Sequence, residues 1–265
     1  MQKKFMLILS ACLLIIGVSV LVYPAVSGYI NKKHGSYAII EFHQKIDNTD
    51  QKMLDDQRRL AEAYNRTIWD GVPCGDYDSI LNFENGMMGY ISIPEIDVNL
   101  PIYHGVDEAV LTKGIGHLPD SSFPIGGEGN HSVLTGHTGL PSAKLFTNLS
   151  KLKEGDIFEI NILKETLSYC VDQIKVVLPN ETNDLRTVEG RDYCTLVTCT
   201  PYGVNSHRLL VRGARIENKT VEPISNPNQL VSVQTFLVML SAMLALLLSL
   251  CVVILQIIRR KRYHR

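Results

Sequence analysis

A thiol, an imidazole and a guanidinium together can carry out covalent acyl transfer, and this sequence holds one pattern that would assemble them. The residues Asp192 to Cys199 read as an apolar, β-branched strand, the stretch Thr200 to His207 contains Pro201, Gly203 and Asn205, and Arg208 opens the next apolar run. That order predicts a hairpin that brings Arg208 back beside Cys199, since opposed residues on paired strands lie about 4.5–5.5 Å apart at Cβ. A thiol attacks as its thiolate and needs a base or imidazolium close by. Of His104, His117, His131, His137 and His207, the best placed is His137, which follows Ser132-Val133-Leu134-Thr135 inside Thr-Gly-His-Thr-Gly, where glycines let the backbone turn and expose the ring. Arg208 would then hold developing oxyanion charge or orient a carbonyl. Each residue also has a plainer reading: a packing cysteine, a structural histidine, a solvated arginine. Periodicity alone leaves both readings open.

The elements that must position these residues fall into two groups. From Ser36 to about Arg66, apolar positions at Ile39, Ile40, Phe42, Ile46, Leu54 and Leu60 predict amphipathic helix, with a stop and restart at Asn48-Thr49-Asp50. Beyond Tyr77 the period shortens. Seven β-rich runs follow, at Gly89–Ile93, Val98–Tyr103, Ser132–Thr135, Ile157–Leu163, Thr166–Leu178, Tyr193–Thr198 and Leu209–Ile216. Two short helices are expected between them, over Asp107–Thr112 and Ala143–Leu149. So many short strands separated by turn residues predict a mainly β domain, a closed or partly closed barrel with helical inserts.

The two ends have another character. Phe5–Ile30 and Leu230–Ile258 contain no charged residue, and each exceeds the roughly 20 residues needed to span a bilayer. Leu9-Ser10-Ala11-Cys12 has the look of a lipoprotein cleavage box but lies too early in its apolar run, and that run is too long for a cleaved signal core. Arg259, Arg260, Lys261, Arg262 and Arg265 after the second run place that end in the cytoplasm. Two spans therefore put both termini inside and residues 31–229 outside. With the basic residues of the two tails set aside, 19 Lys and Arg remain against 27 Asp and Glu, which argues against nucleic-acid binding. Cys74, Cys170, Cys194 and Cys199 fall in the outward part, and a Cys170–Cys194 disulfide is one option. The scattered Cys and His lack the close spacing of a metal site, and the chemistry needs no cofactor.

Thr195-Leu196-Val197-Thr198-Cys199 matches the TLxTC signature of sortases, the surface transpeptidases of Gram-positive bacteria, with Arg208 at the family's nine-residue spacing and His137 in its Gly-flanked setting. Gly89-Tyr90-Ile91-Ser92-Ile93-Pro94, Leu100-Pro101-Ile102-Tyr103-His104-Gly105, Gly114-Ile115-Gly116-His117 and Arg208–Arg212 also resemble sortase segments. Two spans, the run His137–Phe146, and Cys199-Thr200-Pro201-Tyr202-Gly203-Val204-Asn205 resemble class C, the pilin-polymerising sortases. The resemblance implies an eight-stranded sortase-type β-barrel with short helical inserts, preceded by N-terminal helices and flanked by two transmembrane helices. It divides the chain into a cytoplasmic N-terminus (1–4), a span (5–30), a helical region with a candidate lid (31–77), the catalytic barrel (78–220), a linker (221–229), a second span (230–258) and a basic cytoplasmic tail (259–265).

The mechanism implied is attack by Cys199 on the Thr–Gly bond of an LPxTG-like sorting signal, with His137 as general acid and base and Arg208 stabilising substrate and oxyanion. Thr198 and Thr138 would contact substrate. A pilin lysine amine would then take the acyl group from the thioester. Many class C enzymes carry an Asp-Pro-aromatic lid, absent here as written, so Trp69 with Asp70, or Asp76 with Tyr77, are the candidates to cover the thiol. Competing readings are a sortase that anchors proteins to peptidoglycan, a hydrolytic cysteine protease or L,D-transpeptidase, and a non-catalytic surface-binding module.

Overall fold

The computed structural model describes residues 2–69, 75–83 and 85–218. The second apolar run, 230–258, the linker and the basic tail lie outside them. By contacts the described residues fall into two units, 30–218 and 2–29, the second of them helical.

Helix α1 spans Gln2–Asp47 and α2 spans Gln51–Trp69, so the interruption falls at the expected Asn48-Thr49-Asp50. The side chain of Asp50 accepts from the backbone N–H of Lys52 at 3.2 Å, a local cap that lets the helix restart. A stretch of α1 beginning at Cys12 is long and apolar enough to cross a membrane by length and composition. Downstream, α1 buries Ile39, Phe42 and Ile46, and α2 buries Leu54, Ala61 and Tyr64, all in the same apolar cluster as the strands. Phe42 meets Phe83 edge to face, and Tyr64 meets Phe123 in the same way. Buried Asn65 donates to the Phe123 carbonyl at 3.1 Å and accepts the Phe123 N–H at 2.7 Å. This reciprocal pair satisfies a buried amide and fastens α2 to the loop before β4.

Eight strands close into a barrel: β1 (Met87–Ile93), β2 (Val98–His104), β3 (Ile115–His117), β4 (His131–Thr135), β5 (Ile157–Ile162), β6 (Glu165–Val177), β7 (Tyr193–Thr200) and β8 (His207–Arg215), with neighbours in the order β1-β2-β3-β4-β7-β8-β6-β5. Closure removes the unpaired edges that an open sheet would present. The seven sequence runs all become strands. The eighth, β3, was missed because it is only three residues long and contains Gly116, whose added Cβ would meet the Gly105 carbonyl and Leu111. Between the strands, α3 covers Glu108–Leu111 with Asp107 as its N-cap, as the sequence predicts. Ala143–Leu149 departs from expectation. Leu145 takes a positive φ of 36°, which an α-helix cannot hold, and only a 3-10 turn at Leu149–Lys151 forms.

The strands are buried on both faces where the site lies. Leu134, Leu196, Leu209 and Val211 belong to the large core, whereas Val133, Val177, Val197 and Leu210 form a second cluster with Leu118 and Leu185 packed against it. Successive residues of a strand alternate between these faces. Cys170 pairs with Ala214 and Cys194 with Gly213, from opposite sides of β8. Two strand spacings of about 4.8 Å each exceed the reach of a disulfide; both thiols are free, and the pairing allowed by the sequence does not form.

Candidate active site

The register brings two of the three reactive groups together. β7 and β8 are antiparallel with Cys199 opposite Arg208, so the hairpin inferred from spacing is present. On the other flank β4 runs parallel to β7, with Thr135 opposite Val197. The Gly136 N–H continues that ladder by donating to the Val197 carbonyl at 3.0 Å, and the Thr198 hydroxyl donates to the Gly136 carbonyl at 2.6 Å. The ladder ends there, and His137 is the next residue, opening the loop that leaves the β7 flank. Thiol and guanidinium thus sit one strand spacing apart, and the imidazole follows the end of the strand on the other flank of β7.

Parity decides which way they face. Cys199 shares a face with Val197, Arg208 with Leu210, and His137 follows Val133 by an even number of residues, and all three valine and leucine partners lie in the second cluster. Cys199 and Arg208 therefore extend the face of the second cluster at the strand ends, and the thiol does not point into the large core. Cys199 is half-buried and free. Arg208 is half-buried and donates to the carbonyls of Asn205 and His207 at 3.2 and 3.1 Å, which holds the guanidinium at the start of β8.

Hydrogen bonding separates His137 from the other histidines. His117 is fully buried, bonded to the Tyr77 hydroxyl at 2.9 Å and the Ser122 carbonyl at 2.9 Å, and burial pushes its pKa down to about 4. His131 is held between Thr195 Oγ1 and the Arg186 carbonyl, and burial lowers its pKa too. His104 lies between the carbonyls of Gly86 and Ile80. His207 bonds its neighbour Ser206. His137 alone of the five bonds a carboxylate, with Nε2 at 3.2 Å from Glu108 Oε2.

The remaining candidates divide. Thr138 is half-buried in the loop after His137. Thr198 is 3% exposed, and its hydroxyl is spent on the Gly136 carbonyl, so its visible task is to tie β7 to the His137 turn. Tyr77 is stacked on Phe123, its hydroxyl accepts from the Gly105 N–H, and burial pushes its pKa up. It joins the Tyr64, His104 and His117 rings rather than the thiol. Asp76 is exposed, one residue before that ring. Trp69 closes α2; its side chain and Asp70 lie outside the described residues. Two contacts had no signal in the sequence. Glu108 reaches His137, and Tyr202 packs so close to Gly139 that a Cβ there would lie 3.0 Å from its ring.

A half-buried free cysteine on a barrel strand, opposite an arginine and next to a strand that leads into a histidine turn, fits an enzyme that works through a thiol nucleophile. Comparison with known proteins agrees with this class. A sortase-domain family model matches residues 91–216. The chain is 47% identical to sortase C1 of Streptococcus agalactiae, with a TM-score of 0.66, over 69% of this chain and 100% of that one. It is 45% identical, with a TM-score of 0.65, to sortase C of Clostridium perfringens bearing the C-terminal cell wall sorting motif, over 69% and 99%. It is also 26% identical to sortase A of Streptococcus agalactiae serotype III over 60% of this chain, spanning 66% of that relative, just under two thirds of its length. The chain belongs to the sortase family.

Proposed function

We propose that this protein is a membrane-anchored pilus-assembly sortase that cleaves an LPxTG-like sorting signal between Thr and Gly and transfers the acyl group to a lysine amine of a pilin subunit. The observation that supports the chemistry is the strand order β4-β7-β8, with Cys199 opposite Arg208 and β4 leading into the His137 turn that Thr198 bonds. The likeness to solved sortase C enzymes at 41–47% identity supports the pilus class.

In this reading the Cys199 thiolate attacks the threonine carbonyl carbon while Arg208 donates hydrogen bonds to the oxyanion. The carbon–nitrogen bond breaks as the His137 imidazolium gives its proton to the departing glycine amine. The neutral lysine ε-amine then attacks the thioester, gives its proton to His137, and expels the thiolate. One amide replaces another, so the thioester conserves the bond energy between steps and no nucleotide or cofactor enters the balance. The first apolar helix anchors the domain, and the second span, with both termini cytoplasmic, belongs to the same proposal.

The test is to trap the acyl-enzyme with a peptide ending in an LPxTG-like motif and locate the modified residue by mass spectrometry. The mass increment should fall on Cys199, vanish in Cys199→Ala, and move to the lysine amine of added pilin. An adduct elsewhere would remove the mechanism. Hydrolysis alone, with pilin present, would remove the transfer step.

A further inference from the structure

We propose that Glu108 is a positioning residue for the acyl transfer, accepting the Nε2–H of His137 and thereby leaving Nδ1 as the nitrogen that exchanges the proton with thiol and amine. The inference rests on the sortase reading of the site.

Glu108 Oε2 stands 3.2 Å from His137 Nε2. A carboxylate only accepts hydrogen bonds, so this contact requires the proton on Nε2 and fixes one of the two neutral tautomers. The carboxylate is itself held in place. Asp107 caps α3 by accepting the Val110 N–H at 2.8 Å, which sets Glu108 as the first helical residue. Leu111 buries the base of α3 against Gly116, and Gly116 pairs with Thr135, two residues before His137. Helix and imidazole are therefore referred to the same pair of strands. Glu108 from α3 is the charged group bonded to His137, and Cys199 and Arg208 lie at the ends of β7 and β8, the strands next in order beyond β4.

Exposure limits the effect. The Glu108 side chain is 74% exposed against 26% for His137, so solvent screens the pair far more than a buried carboxylate–imidazole couple. Glu108→Ala should lower kcat about two- to fivefold with KM nearly unchanged. In Glu108→Gln the amide oxygen still accepts from Nε2–H and recovers most of the loss, which separates bond from charge.

The decisive readout is the histidine tautomer. Full-length protein in detergent micelles, labelled with ¹⁵N-histidine and assigned by difference against His137→Ala, should give His137 an unprotonated Nδ1 in wild type and Glu108→Gln, and mixed tautomers in Glu108→Ala. A protonated Nδ1 in neutral wild type would overturn the proposal, as would Glu108→Ala with wild-type kcat. The tautomer is read without substrate, so this outcome is distinct from failure of the sortase reading, which would appear as a wild-type protein that forms no thioester.

Discussion

Replacing Thr198 by Val removes one hydroxyl and keeps the volume, and the structure states what that hydroxyl does. Thr198 is 3% exposed, and its Oγ1 lies 2.6 Å from the carbonyl of Gly136, itself buried, one residue before His137. Losing the donor leaves a buried carbonyl short of a partner, at a cost of about 1–3 kcal/mol. For a domain of this size each kcal/mol corresponds to roughly 2–4 °C in Tm, so the melt of Thr198→Val should fall by several degrees. The activity change follows from the same bond. With β7 tied to the His137 turn by the Gly136 N–H bond alone, the turn that carries the imidazole is held less firmly, and a misplacement of about 1 Å can cost up to 100-fold in rate. Peptide-transfer kinetics should show a fall in kcat of about tenfold or more with KM little changed, and Thr198→Ser should restore both properties. If Thr198 instead contacted substrate, KM would carry the effect. A variant melting within a degree of wild type with unaltered kcat would refute the reasoning.

Stability should decline on acidification, because His117 and His131 are neutral in the fold and their pKa values lie below 6.5, His117 at about 4. The unfolded chain then binds more protons between about pH 6.5 and 4, so stability present above 6.5 is lost through that window, on the order of 3 kcal/mol from His117; denaturant midpoints at pH 7.5 and 5 that coincide would contradict this. Gly139→Ala places a Cβ 3.0 Å from the Tyr202 ring at a φ of +73°, so it should destabilise by about 1–2 kcal/mol, and the loss in a Tyr202→Ala background should be smaller. Trp69→Ala should accelerate labelling of Cys199 by a thiol reagent if α2 ends in a lid, and unchanged labelling would remove Trp69 from that role.

Local patterns carried much of the fold. The helix break at Asn48-Thr49-Asp50, seven of eight strands and the Asp107-capped turn all follow from short-range periodicity, caps and turn residues. Ala143–Leu149 misled because its apolar spacing fits a helix, while Leu145 is forced into positive φ by the way the loop returns, with the Phe146 N–H donating to the His137 carbonyl at 3.1 Å. A disulfide looked open between Cys170 and Cys194 because sequence does not say that β8 passes between them.

The same division holds at the site. Nine residues and a turn suffice to oppose Cys199 and Arg208, since a hairpin is a local structure whose register follows its turn. The approach of the His137 turn to β7 is of another kind. It depends on β4 lying parallel to β7 across some sixty residues of intervening chain, and parallel pairing leaves no turn signature because the strands are joined by a long crossover and not by a tight turn. Which face Cys199 and Arg208 share, the second valine and leucine cluster beneath them, and the carboxylate of Glu108 on the imidazole all arise from barrel closure. The amino acids supplied the reactive set and the pairing of Cys199 with Arg208; only the closed sheet brought the His137 turn to β7.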